Sequence, residues 1–525
     1  MISKTNNNTE RLKWNPPPKE AGDIVARLLL IEYILLNLEV EKFMNIHKDK
    51  KLMIILAITI ILAIACIVMG FYLNKSFSNK LAATEFKVTG DVTNELRLQN
   101  FDDFKTVKIK VDEESYEGVK LADLLKKAAP QGESIAIYLS APDGVRAEIE
   151  YEQIFHDSVV YFSKEYGFTF NSPSHPVQSG IKQINNIVVV ANEPNDTTPG
   201  LRIIAGGKDT FYTCGQIFLQ DKKQMMVLEG EPLKESVMTN AYSTRELIPI
   251  SELIAEHNTN VVGYFLDGSE APLDKDGYVL WRGNTIDYIG SDGKSISEDI
   301  IGIWGDAPKL SVTDIRKMAD EEKNDLMIIE IDGLGVNTFI KYQPEFLYAK
   351  GFEEMSTVMP SISPVALASI VSGETPNVTG IKSRKERELL TDDMFKGKNA
   401  VVVEGYSQLI TMSVDQILNP DRNKDGSTDD EVFASATKEM AKKPEIAYIH
   451  FHGYDDVSHD FGPYSKEAET KLHEIDGYIK QLSNNFDGTV YIVSDHGQHS
   501  TPNGKELGSH GMFIYEDMLV PFITY

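Results

Sequence analysis

Residues 488–497 read GTVYIVSDHG. The run is continuously apolar from Val490 to Val493, then breaks into Ser494-Asp495-His496-Gly497. A short apolar run without polar alternation is the pattern of a strand buried on both faces, as in a parallel sheet covered by helices. Two other segments share it, LMIIEID (326–332) and AYIHFHGYD (447–455). Between the last two, Ala468, Leu472, Ile475, Ile479 and Leu482 recur at helical spacing and predict an amphipathic helix against the sheet. From about 324 to 525 the chain therefore reads as an α/β domain built on a parallel sheet.

Each of the three runs ends in an aspartate, Asp332, Asp455 and Asp495. In open parallel sheets ligands bind at the carboxyl ends of the strands. Three carboxylates brought to one edge repel unless cations lie between them. Histidines follow closely: His459 four residues after Asp455, His496 directly after Asp495, and His510 within Gly508-Ser509-His510-Gly511. Taken singly, an aspartate after a strand is usually a cap and a lone histidine a surface group. Six converging on one edge argue for divalent metal, with an Asp/His donor set suited to zinc or manganese.

A seventh element is the segment Met359-Pro360-Ser361-Ile362-Ser363-Pro364-Val365-Ala366, continuing to Val371-Ser372-Gly373. Ser363 followed by proline and an apolar run predicts a helix with Ser363 as N-cap and Pro364 at its first position. A well-capped helix is the plain reading. A helix amino terminus also favours phosphate, and a hydroxyl there facing a metal is a candidate nucleophile.

In order, these motifs resemble the alkaline phosphatase superfamily, and within it the type I phosphodiesterase/nucleotide pyrophosphatase group. The resemblance rests on Asp332-Gly333, the PSIS-to-VSG segment, Asp455-x-x-x-His459-x-x-Gly462-Pro463, Asp495-His496-Gly497 and Gly508-x-His510-Gly511. It implies an alkaline-phosphatase-like fold and a hydrolase of phosphate esters with two divalent ions, zinc or manganese. Asp332, Ser363, Asp495 and His496 would hold one ion, and Asp455, His459 and His510 the other. Ser363 would be the nucleophile toward a small phosphorylated substrate. Two departures stand out. The phosphodiesterase branch generally has threonine at the place of Ser363, and an asparagine where this chain has Ala366. They bear on nucleotide specificity rather than on the two-metal chemistry. A sulfatase of the usual type would need Cys/Ser-x-Pro-x-Arg, and Ser363-Pro364-Val365-Ala366 is not that. A phosphonate hydrolase or a phosphotransferase of the same superfamily is the nearest alternative.

Between Ser363 and Asp455 lies an acidic stretch, Asp421-Arg422-Asn423-Lys424-Asp425-Gly426, running on to Glu431. Asp421, Asn423 and Asp425 with Gly426 match the start of a calcium loop, while Val432 stands where an acidic residue belongs. A solvated acidic loop is the alternative.

From Phe86 to about Asp306 short strand-like runs alternate with Gly, Pro, Asn and Asp clusters, a β-rich pattern. It is read as two modules, 85–220 and 221–306. FKVTG (86–90), VKLADLLKKA and IYLSAPDG are echoed by MVLEG (226–230), IPISELIAEH and VVGYFLDG, which suggests a repeat. The first module resembles the molybdopterin-binding domain of sulfite-oxidase-like enzymes through Tyr116-Glu117-Gly118-Val119, Leu121-Ala122-Asp123-Leu124-Leu125, Ala141-Pro142-Asp143-Gly144 and Gly200-Leu201-Arg202-Ile203-Ile204. That family ligates molybdenum through a mid-domain cysteine. The only cysteines here are Cys66 and Cys214, so the resemblance implies a fold and no molybdenum cofactor. The rival to a hydrolase is a surface binding protein in which these modules do the main work.

Leu52 to Leu73 is an uncharged run of 22 residues, long enough as a helix to cross about 30 Å of hydrocarbon. Lys48, Lys50 and Lys51 flank its amino side, against Lys75 and Lys80. Positive-inside counting then predicts a single-pass membrane protein with residues 1–51 cytoplasmic, 52–73 in the membrane and the catalytic domain extracytoplasmic. Residues 24–38, IVARLLLIEYILLNL, carry Arg27 and Glu32 and read as interfacial. Met44 is an alternative start. The net charge of −27 argues against nucleic acid as a docking partner. A phosphate must then be drawn by a local cation, since fields fade beyond about 8 Å at physiological salt.

Overall fold

In the strand Leu326–Ile331 all six side chains are buried, and alternate residues enter different cores. Leu326 and Ile328 face one hydrophobic cluster, while Met327, Ile329 and Ile331 face another. Such a strand is held by helices on both faces, each fully buried aliphatic side chain contributing roughly 1.5–3 kcal/mol. In this computed structural model the described residues are 85–525 apart from 112–113, 196, 230–239, 255–258, 387–388 and 503, together with Thr59, Leu62 and Ala63.

The sheet containing that strand has eight members: β1 (Leu310–Ser311), β2 (Leu326–Ile331), β3 (Glu353–Ser356), β4 (Ala400–Glu404), β5 (Gln416–Leu418), β6 (Ile446–Phe451), β7 (Thr489–Val493) and β8 (Leu519–Thr524). Their order is β1-β3-β8-β7-β2-β6-β4-β5. Strands β7, β2, β6, β4 and β5 pair in parallel, whereas β8 is antiparallel to both β3 and β7. The expected parallel sheet is thus mixed, with one reversed strand. Helices α1 (Asp314–Glu321) and α3 (Ser363–Ser372) cover one face through Ile315, Val365, Leu367 and Ile370. Helices α2 (Val336–Tyr342), α4 (Asp429–Met440) and α6 (Lys466–Asn484) cover the other through Phe339, Val432, Leu472, Ile475 and Ile479. A further helix, α5 (Gly453–Phe461), follows β6 directly.

The β-rich region repeats one topology twice. In the first copy Phe86–Gly90 pairs in parallel with Asn186–Glu193, which pairs antiparallel with Glu133–Ser140. In the second, Gly200–Ala205 pairs in parallel with Ile300–Gly305, which pairs antiparallel with Val261–Phe265. The repeat seen in the sequence is therefore real for VKLADLLKKA with IPISELIAEH and for IYLSAPDG with VVGYFLDG. FKVTG, however, corresponds to Gly200–Ala205 and not to MVLEG, whose strand (Lys223–Leu228) pairs with Tyr242–Pro249 in another sheet. The hydrogen bonding changes partners just before Gly200, whereas the sequence divides the modules at 220. The motif Gly200–Ile204, which the sequence assigns to the first module, is the first strand of the second copy.

The second copy packs on the domain of the eight-stranded sheet. Phe513 lies 4.8 Å from Tyr264 and 6.5 Å from Trp304 between ring centroids, within a cluster that includes Ile204, Val336 and Leu519. The loop that carries His510 is therefore braced by the β-rich region. Cys214 is buried in the second copy, its thiol 3.1 Å from the Asn284 carbonyl oxygen, and burial pushes that thiol up.

The chain divides into two compact units, Met1–Leu81 and Ala82–Tyr525. Among the described residues no helix is long and apolar enough to cross a membrane. The expected anchor, Leu52–Leu73, and the segment 1–51 lie outside the described residues save for Thr59, Leu62 and Ala63, which are helical.

Candidate metal centre

All seven residues singled out in the sequence meet at the carboxyl edge of the central strands. Asp332 directly follows β2 and Asp495 stands two residues after β7. Asp455 is not at a strand end. It lies in the first turn of α5, one helical turn before His459 on the same face. The bend after Asp332 requires glycine: Gly333 has φ +76°, and a Cβ there would come within 2.7 Å of Asp455 Oδ1.

Ser363 is the first residue of α3, with Ile362 as N-cap and no side-chain capping bond. The expectation that Ser363 caps its helix is corrected. Its hydroxyl points instead at Asp332 Oδ1 (3.4 Å) and His496 Nε2 (3.2 Å). His496 Nε2 in turn lies 3.3 Å from Asp495 Oδ2 and 3.5 Å from Asp332 Oδ1. Donors about 2.1 Å from a tetrahedral ion stand about 3.4 Å apart, so these four spacings fit one cation. The second group is wider: Asp455 Oδ2 to His459 Nε2 is 3.3 Å, and Asp455 Oδ1 to His510 Nε2 is 3.9 Å. The Asp455-His496-His510 and Asp332-Asp495-His496 atoms are each close enough to share an ion.

The orientation of the imidazoles is the stronger test of fit. His459 Nδ1 bonds the Gly508 carbonyl (2.9 Å), His496 Nδ1 that of Gly497 (3.0 Å) and His510 Nδ1 that of Ser361 (2.9 Å). A carbonyl only accepts, so each Nδ1 carries a proton and each Nε2 faces the site. That is the arrangement by which metal-binding histidines are held. At His510 the lone pair already meets a cation: Arg384 Nη2 donates to Nε2 at 2.8 Å. Burial, and then neighbouring His496, push His510 down to about 3, so it stays neutral and able to donate electrons. The hydrogen bond with Asp455 lifts His459 to about 9, and burial followed by Asp332 raises Asp495. Cations between the carboxylates would relieve both.

The site opens into a cavity of about 600 Å³ lined by Arg384, Asp456, His459, Asp460, Glu506 and His510. Arg384 is the cation among these, set among five acidic or imidazole residues. Sequence reasoning missed Arg384, and also Glu330, Glu404, His450 and His452, which crowd the inner side of Asp332. The signal was the pair His450-x-His452 immediately ahead of Asp455. The loop Asp421–Glu431 reaches the same cavity through Gly426, while its acidic side chains are engaged in its own turn. Asp421 accepts the Lys424 and Gly426 amides (2.5 and 3.0 Å), and Asn423 donates to Asp425 and Asp430.

Residues 394–514 match the family of type I phosphodiesterase / nucleotide pyrophosphatase. The matched stretch holds Asp455, His459, Asp495, His496 and His510. No curated protein matches the sequence. Similar solved structures include phosphonoacetate hydrolase from Sinorhizobium meliloti (16% identity, TM-score 0.28, 34% of this chain and 57% of that one). Others are BT1596, a 2-O GAG sulfatase (14%, 0.31, 39% and 64%), and murine ectonucleotide pyrophosphatase/phosphodiesterase 5 (10%, 0.29, 38% and 87%). The chain spans 57% and 64% of the length of the first two.

Proposed function

We propose that the chain hydrolyses phosphate esters, monoester or diester, with Ser363 as nucleophile and two divalent cations in the Asp/His clusters. The observation that carries this is the hydroxyl of Ser363, uncommitted to its helix and 3.2–3.4 Å from ligands of one cluster. When bound, the cations would neutralise the phosphoryl oxygens and lower the pKa of that hydroxyl. Asp332, Asp495 and His496 would hold one of them, and Asp455 and His510, with His459 or His496, the other. Zinc or manganese suits the nitrogen and carboxylate donors.

Ser363 Oγ attacks phosphorus as the bond to the leaving oxygen breaks, and its proton goes to solvent in the open cavity. The leaving oxygen departs as an alcohol once protonated. Water then attacks the phosphoserine, restoring the hydroxyl and releasing phosphate, or a phosphomonoester when the substrate is a diester. His459, His496 and His510, tied back through Nδ1, hold their Nε2 atoms fixed through both steps. Arg384, at the rim, offers a planar fork suited to two phosphoryl oxygens. A panel of chromogenic phosphate mono- and diesters, run after chelation and re-addition of zinc, manganese or magnesium, tests the reading. Turnover that chelation leaves untouched would overturn it.

The setting is part of the same proposal. The uncharged run Leu52–Leu73 and its lysine flank support a single-pass anchor, with residues beyond about 76 outside the membrane. Protease added to intact cells should remove the catalytic domain and leave the anchor embedded; a protein fully protected in the cytoplasm would contradict this. The β-rich region then serves as spacer and brace, without molybdenum.

A further inference from the structure

At the seam between the two copies of the β-rich repeat, a small apolar cluster carries two cations with no counter-charge. Val188 and Val190 come from the first copy and Phe218 from the second, with Tyr138 and Trp281 packed at the edge. Phe218 belongs to the helix Cys214–Leu219, which Thr213 caps by accepting from the Gln216 amide. Its ring is buried in the seam, 5% exposed. Trp281 ends the strand Tyr278–Trp281 and meets Phe218 at 4.9 Å between ring centroids.

Arg146 opens the strand Arg146–Glu150 of the first copy, and its guanidinium carbon lies 4.4 Å from the centre of the Phe218 ring. Lys222, just beyond the helix, brings Nζ to 4.4 Å from the same centre and 5.8 Å from that of Trp281. A cation over an aromatic face is attracted to it, but two over one ring repel each other. Among the described residues neither side chain forms an ion pair or a hydrogen bond. In a chain with 79 acidic residues against 52 basic ones, carboxylates to pair them are abundant. Yet Glu148 is engaged by the Tyr138 hydroxyl. Glu246 acts on Lys222 without pairing it, so burial and then Arg146 push that ammonium down to about 8.

A third donor stands beside them. Trp281 Nε1 is buried and has no hydrogen-bond partner. An indole nitrogen only donates, and a buried donor left unpaired is rare and costly. Guanidinium, ammonium and indole N–H thus gather on one aromatic cluster, and each lacks an acceptor.

We infer that Arg146, Lys222 and Trp281 form a binding site for a dianionic phosphoryl group, free phosphate or a phosphate monoester, at the seam of the repeat. Two positive charges match its two negative ones. The guanidinium fork spans two of its oxygens, and a further oxygen remains for the ammonium and the indole. A phosphodiester carries one charge and two free oxygens, too few for three donors. The site shares no residue with the metal centre, and the inference does not depend on what that centre does. The β-rich region then holds a ligand of its own, besides bracing the loop of His510.

The test is the tryptophan emission of the metal-loaded full-length protein, titrated with inorganic phosphate, methylphosphonate and dimethyl phosphate. Methylphosphonate stands in for a monoester, with carbon in place of one oxygen. Both dianions should change the emission saturably, and Trp281→Phe should abolish the change. Arg146→Gln and Lys222→Gln should each weaken binding by about 10–100-fold. Their melting temperature and turnover of a chromogenic phosphate ester should stay near wild type. Asp455→Asn, in the metal centre, should leave the titration as it is, which separates this site from that one. Tighter binding of methylphosphonate than of phosphate would assign the group to a larger molecule, and the reverse to free phosphate. A wild-type emission that neither dianion moves would overturn the inference and needs no variant to fold. So would dimethyl phosphate bound as tightly as the dianions, or wild-type affinity in Arg146→Gln and Lys222→Gln.

Discussion

Ser363 Oγ stands 3.2 Å from His496 Nε2 across 133 residues of sequence. The contact joins the start of α3 to the loop after β7, and it is the shortest polar contact the hydroxyl makes. Ser363→Ala should therefore cut turnover of a chromogenic phosphate ester by at least about 10³-fold. Metal content and melting temperature should stay near wild type. Activity within tenfold of wild type, or an essential Ser361, would remove the nucleophile from the account.

Gly333 tests the geometry from the other side. A methyl group there meets Asp455 Oδ1 at 2.7 Å in a backbone conformation with φ +76°. Gly333→Ala should displace Asp455, loosen the cation shared with His459 and His510, and lower activity by roughly 10²-fold. Excess zinc or manganese should recover part of the loss. Wild-type affinity for both ions would show that Asp455 is not a ligand.

The two copies of the β-rich repeat are joined through Asp91, which is fully buried. Its carboxylate accepts from the Ala191 amide (2.7 Å), the Gly215 amide (2.9 Å) and Thr213 Oγ1 (2.6 Å). Asp91→Ala strands three donors and should cost about 3 kcal/mol, read as an earlier urea midpoint. The chemistry of the metal centre should be untouched in the folded variant. A midpoint unchanged within error would show the contact to be dispensable.

Glu270 lies where the β-rich region meets Ser311, whose hydroxyl it accepts at 3.5 Å. Burial, eased by that hydrogen bond, lifts its carboxyl from 4.5 to about 7. Between those values the folded protein holds a proton that the unfolded chain has released, so this group erodes stability as pH rises through the window. Glu270→Gln removes the effect. Its melting temperature relative to wild type should rise from pH 5 to pH 8, and an equal difference at both would contradict the assignment.

Sequence pattern exposed the strands that are buried on both faces, because β2, β6 and β7 have no solvent face to alternate toward. Aspartates and histidines just past such strands could be placed at one edge for the same reason. The antiparallel course of β8 was not legible, since LVPFIT reads like any other core strand and direction is set by the chain's return path. The role of Ser363 was half legible: proline after it marked a helix start, but which residue caps it depends on where the hydroxyl is drawn. His450 and His452 were hidden inside an apolar run. Their meaning depends on Glu330 and Glu404 standing beside them, and that juxtaposition follows from sheet order alone. The repeat was seen, but its first strand was misaligned because MVLEG and FKVTG are alike as short amphipathic segments.

The central claim is that Ser363 carries the phosphoryl group between two half-reactions. Rapid acid quench of the metal-loaded protein during turnover of a phosphate ester, followed by peptide mass analysis, tests it directly. The account predicts a phosphoryl adduct on Ser363, built up within the first turnover, absent from Ser363→Ala and absent after chelation. Sustained turnover with no adduct at Ser363, or an adduct on Ser361, would contradict it.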